Sequence, residues 1–89
     1  MKELTKKQIE LANVAVDALR KLQSQGVATL TIDGGGGTSG LTFWRPTDEE
    51  DFEAYEIISN QDHPKHDEFE EKKYHPDKSI GLRIDTIVP

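Results

Sequence analysis

"VATLTIDGGGGTSGLTFWRP", residues 27–46, is the stretch whose reading decides the fold. From Val27 to Asp33 the residues alternate. Val27, Thr29, Thr31 and Asp33 point one way, and Ala28, Leu30 and Ile32 point the other. β-branched side chains dominate, as in a half-buried strand. Leu41 to Arg45 alternates in the same way, with Leu41, Phe43 and Arg45 opposite Thr42 and Trp44. Pro46 has no N–H to give a ladder and marks the strand's end. The glycine-rich link between the two runs suits an antiparallel hairpin, because a parallel crossover needs a much longer connection.

Working outward, residues 4–24 carry apolar side chains at three- and four-residue steps: Leu4, Leu11, Ala15, Ala18 and Leu22, widened by Ala12, Val16 and Leu19. This is the pattern of an amphipathic helix. Gly26 is placed to end it, since glycine accepts the left-handed conformation of a C-cap. The helix is expected to pack across the hairpin face that carries Ala28, Leu30 and Ile32. After the hairpin, Thr47 reads as an N-cap, and Glu50, three residues on, completes a capping box. A second helix is therefore expected from there through "DEEDFEAYEIISNQ", although residues 52–59 also alternate as a strand would. Between Pro64 and Pro76, "KHDEFEEKKY" has the length of two or three helical turns, with Phe69 and Tyr74 as its clear apolar anchors. Ile80 to Val88 alternates cleanly and is expected to be a third strand.

The expected architecture is a single α+β domain over residues 1–89, in the order α-β-β-α-β. About three antiparallel strands form a small sheet, with the N-terminal helix packed on one face. The core candidates are Leu11, Ala15, Val16, Leu19, Leu22, Leu30, Ile32, Phe43 or Trp44, Ile58, Leu82, Ile84 and Val88.

The chain has 89 residues, no cysteine and a formal charge of −6. Disulfides and thiolate metal sites are thereby excluded, and a cytoplasmic location is expected. The N-terminal apolar residues are interrupted by charges, so neither a signal peptide nor a membrane span is expected. Charge is unevenly distributed. Residues 1–25 carry a net +2, residues 26–46 balance, residues 47–77 carry a net −9 and residues 78–89 add +1. Direct nucleic-acid binding needs a basic face to displace counterions, and this chain offers no large one. An acidic face suits a basic protein surface instead. Its candidate contact residues are Asp48, Glu49, Asp51, Glu53, Glu56, Asp67, Glu68, Glu70 and Glu71.

The glycine run offers a second reading. Gly35 to Gly40 formally matches G-x-G-x-x-G, but a strand follows it where a dinucleotide fold opens a helix. What remains is physical: exposed amides with little steric bulk approach an anion closely. The candidate residues for a nucleotide or other anion are Gly34, Gly35, Gly36, Gly37, Thr38, Ser39, Gly40, Trp44 and Arg45. Strand alternation sets Trp44 and Arg45 on opposite faces, which counts against their serving one ligand.

A third reading, a metal-dependent hydrolase, rests on His63, His66 and His75, the chain's three histidines. Histidine and carboxylate are zinc ligands, but "HPKH" matches no established ligand spacing. The expectation is therefore surface histidines and no cofactor. No serine lies in a nucleophile-elbow pattern, and the carboxylates are adjacent on a wet surface rather than set in a pocket that would shift their pKa. No catalytic residue is assigned.

Lys72, Lys73, Tyr74 and the tripeptide His75-Pro76-Asp77 resemble the end of the second helix and the following loop of J-domain co-chaperones. In that family the loop joins two antiparallel helices and engages a chaperone partner. The resemblance implies a further helix after Ser79 and a basic helix before the tripeptide. Here Ile80–Pro89 is β-patterned and the preceding segment is acidic, so no family is assigned.

The favoured expectation is a non-enzymatic acidic binding protein, an inhibitor or adaptor that docks on a basic surface of a partner. Its composition is like that of inhibitors from phages, plasmids or toxin–immunity pairs.

Overall fold

A computed structural model of the chain describes residues 1–32 and 40–83. Helix α1, Lys6–Ser24, opens on a capping box. Thr5 Oγ1 accepts the Gln8 amide at 3.2 Å, and Gln8 Oε1 accepts the Thr5 amide at 2.8 Å. These bonds satisfy two of the donors that a helix start leaves unpaired. It closes on Gly26, whose φ of 81° is left-handed. The Gly26 amide donates to the Gln23 carbonyl and the Val27 amide to the Leu22 carbonyl, the two bonds of a Schellman cap.

Strands β1, Ala28–Ile32, and β2, Gly40–Trp44, pair antiparallel in a two-stranded sheet, with Ala28 opposite Trp44 and Ile32 opposite Gly40. Directly opposed residues share a face, so Ala28, Leu30, Thr42 and Trp44 lie together. The expected hairpin is present. Helix α2, Asp48–Phe52, starts as expected: Thr47 Oγ1 accepts the Glu50 amide at 3.3 Å, and Glu50 Oε1 accepts the Thr47 amide at 2.9 Å. Its first turn holds Asp48, Glu49, Glu50 and Asp51, all favoured at the positive end of a helix. A break at Glu53 separates it from α3, Ala54–Ser59, so residues 54–59 are helix rather than strand. Helix α4, His66–Lys72, follows the Asn60–Lys65 turns. The 3₁₀ turn Asp77–Ser79 comes last among the described elements.

Two expectations are corrected. Helix α1 is not packed across the hairpin. Every residue from Lys6 to Ser24 is exposed except Leu22, which is half-buried. Leu11, Ala15, Val16 and Leu19 therefore leave the core list. The face intended for α1 is filled from the other direction. Gly40 and Thr42 meet His75 and Ser79, while Trp44 stands edge-on to Phe69 with ring centroids 5.1 Å apart. The buried apolar residues are Ile57 and Phe69, at 1% and 6% exposure, rather than Ile58, which is half-buried, or Leu82, which is exposed. The radius of gyration, 15.1 Å, exceeds the roughly 12 Å of a close-packed chain of this length.

The other correction concerns the third strand. A third neighbour for β2 does exist, but it is Tyr74. The Phe43 amide donates to the Tyr74 carbonyl and the Tyr74 amide to the Phe43 carbonyl, both at 2.8 Å. Ile80 to Arg83 is turn and irregular chain, and residues 84–89 of the expected strand lie outside the described residues, as does the side chain of Ile32. The chain is thus α+β, an N-terminal helix and a two-stranded antiparallel sheet with short helices after it.

Gly40 lies close against the Tyr74–Ser79 segment. A Cβ there would lie 2.8 Å from both His75 Cε1 and Ser79 Oγ. Overpacking of this kind costs about 1–3 kcal/mol. Gly40→Ala is therefore expected to lower the urea midpoint of unfolding, whereas an unchanged midpoint would mean that the contact yields freely.

Candidate functional site

The acidic residues singled out from the sequence occupy α2, α3 and α4 and the Glu53 break, and all of them are exposed. Glu53 meets His63 at 3.2 Å, Glu68 meets Lys72 at 2.9 Å and Glu70 meets Lys73 at 2.7 Å. Asp48, Glu49, Asp51, Glu56, Asp67 and Glu71 have no ion pair among the described residues. Two aromatic side chains overlooked in the sequence stand in this acidic field. Phe52 is 97% exposed and Tyr55 is 80% exposed. On α2, Asp48 and Glu49 precede Phe52 by four and three residues and so share its side of the helix. The alternation of residues 52–59 concealed this. A helical reading places Ile57 inward and leaves the aromatics outward.

Phe69 explains why α4 stays docked. It packs against Trp44, and Lys73 Nζ lies 5.7 Å from its ring centroid. The α3–α4 connection is tied by His66, whose Nδ1 donates to the Ile57 carbonyl at 2.6 Å, which occupies a carbonyl at the end of α3. His63 accepts the Lys65 amide on Nδ1 at 3.0 Å and turns Nε2 to Glu53. His75 is on the hairpin side, with Nδ1 donating to the Leu41 carbonyl at 2.8 Å and lying 3.2 Å from Thr42 Oγ1. Each imidazole thus ties down backbone or a neighbouring carboxylate. No group of three or more His, Cys, Asp or Glu side chains suited to a metal ion occurs among the described residues. Of the tripeptide that resembles the J-domain loop, His75 bonds to β2.

Of the anion-binding candidates, Gly34, Gly35, Gly36, Gly37, Thr38 and Ser39 lie outside the described residues. Gly40 is buried against His75 and Ser79 and offers no surface to a ligand. Trp44 and Arg45 lie within the described residues. Both residues border the same two clefts. One of these, between β2 and α4, is small, about 40 Å³. It also gathers Lys65, Lys72 and Lys73, the three cations of the acidic segment. All three lysines face carboxylates, Lys65 at 3.6 Å from Glu50, Lys72 at 2.9 Å from Glu68 and Lys73 at 2.7 Å from Glu70. The Glu68 hydrogen bond and charge raise the Lys72 pKa above its usual value.

No protein-family model, no curated protein and no solved structure matches this chain. Among the described residues no helix is long and apolar enough to cross a membrane.

The capping box carries a pH signature. The hydrogen bond from the Thr47 amide is the leading cause that holds the Glu50 carboxyl below its usual 4.5, and Lys65 adds to it. A carboxyl depressed by folding stabilises the folded chain above the unfolded value, and the contribution is lost as pH falls through the folded one. Replacing it by Glu50→Gln is expected to flatten the decline of thermal midpoint below about pH 4.5. A slope identical to that of the unaltered chain would remove Glu50 from the acid response.

Proposed function

We propose that this chain is a non-enzymatic binding protein, an inhibitor or adaptor, that presents the α2–α4 surface to a basic patch on a partner protein. The observation that carries this reading is the exposure of Phe52 and Tyr55 among carboxylates that have no cation of their own. A solvated acidic coat alone calls for no aromatic side chain on its outside. Large aromatics that are wet in the free protein and set in polar surroundings are what interfaces use as anchors, while the surrounding polar groups set orientation. The unpaired acids steer a basic partner to the surface and fix its register, and their contribution weakens with salt. A cytosolic partner suits a chain without cysteine.

The two components separate experimentally. A partner captured from host lysate and then purified is expected to bind Phe52→Ala/Tyr55→Ala at least about tenfold more weakly, with little change in salt dependence, since one aromatic anchor is typically worth 2 kcal/mol or more. Asp48→Asn/Glu49→Gln/Asp51→Asn is expected to slow association at low salt and to converge on the unaltered chain at high salt. Equal affinity for all three proteins at every ionic strength would overturn the proposal.

A further inference from the structure

A second surface has the opposite character. Where the end of α1 approaches β2, Leu22, Phe43, Trp44 and Tyr74 line an open cleft of about 510 Å³, with Arg45 and Lys72 at its edge. Its volume lies within the roughly 300–1,000 Å³ of small-molecule sites, and its make-up matches theirs, an apolar floor with few polar groups. No carboxylate lines it among the described residues, although the chain carries 17 acidic residues against 11 lysines and arginines. Arg45 is exposed and has no ion pair among the described residues. Lys72 gives Glu68 one hydrogen bond, and an ammonium has three N–H donors.

We infer that this cleft binds an amphiphilic carboxylate, a small molecule with an acyl or aromatic body and one anionic head. The body lies on Phe43, Trp44, Tyr74 and Leu22, and the head meets the Arg45 guanidinium, whose fork matches a carboxylate. Charge decides the class. A cationic amphiphile would have to bring its head beside Arg45 and Lys72. A neutral one would gain the floor but leave both cations unanswered. The negative field of the rest of the molecule makes the same choice harder for a multiply charged ligand than for a singly charged one, so a nucleotide suits the cleft less well than a fatty or aromatic acid does. The cleft shares Lys72 with the end of α4, but its floor comes from α1, β2 and Tyr74, and its test does not involve the α2–α4 carboxylates.

Trp44 is the chain's only tryptophan and lines the cleft, so its emission reports occupancy directly. The full chain is titrated with decanoate, decanol and decylamine, each below its aggregation limit, and thermal midpoints are recorded in parallel. Decanoate is expected to give a saturable change in Trp44 emission, with at least about tenfold tighter binding than either decanol or decylamine. Arg45→Gln, at an exposed position, is expected to keep the fold and to reduce decanoate affinity to that of decanol while leaving decanol unchanged. Tyr74→Phe retains the floor and is expected to bind decanoate as the unaltered chain does. The proposal is overturned by a flat titration, by equal affinity for the three amphiphiles, by an Arg45→Gln variant that binds decanoate normally, or by a stable dimer that decanoate neither enters nor dissociates.

Discussion

Two antiparallel strands do not hold together alone in water, because one face must be covered before the ladder is worth its ordering entropy. In this chain the covering comes from sequence far downstream. Tyr74 exchanges two backbone hydrogen bonds with Phe43, His75 holds the Leu41 carbonyl, and the Ser79 hydroxyl accepts the Leu41 amide at 3.1 Å. Gly40 leaves these groups room to approach. Thr42, wholly buried, is enclosed by the same clasp. Once β2 is gripped there, Trp44 is aimed at Phe69, Phe69 holds α4, and His66 in α4 holds the end of α3. The acidic helices therefore have a fixed place because a hairpin strand is clasped, although very little apolar surface is buried in the process.

Local chemistry was readable in advance, and partners were not. The hairpin, the Thr47–Glu50 capping box and the Gly26 stop follow from residue types within a few positions of one another, and the structure has all three. The position of α1 was misjudged because an apolar stripe shows that a face wants cover without saying what covers it. The clasp was missed for a related reason. Nothing in "YHPDKS" alternates, so its pairing with Phe43 rests on a contact thirty-one residues away that no local pattern encodes. As for the surfaces, the charge of α2–α4 was plain in the sequence. The outward placement of Phe52 and Tyr55 was hidden by a stretch that alternates like a strand.

The molecule shows two surfaces of contrary sign close together in sequence. Arg45 is separated from Asp48 by Pro46 and Thr47 alone, and the Thr47 cap turns the chain from one to the other. Carboxylates spread over short helices surround the exposed Phe52 and Tyr55. Arg45 and Lys72 instead lie at the edge of the cleft lined by Leu22, Phe43, Trp44 and Tyr74.

Since among the described residues α1 has no buried side chain and Leu22 alone is half-buried, its helical hydrogen bonds and the clasped hairpin have little means of melting together. Cooperativity requires shared buried contacts, and these are nearly missing at the joint. Helical ellipticity and indole emission would then trace different unfolding curves, and a single free energy would describe neither. A molecule that binds across the end of α1 and the hairpin would weld the two into one cooperative unit, so that coincidence of the two curves would itself register its arrival.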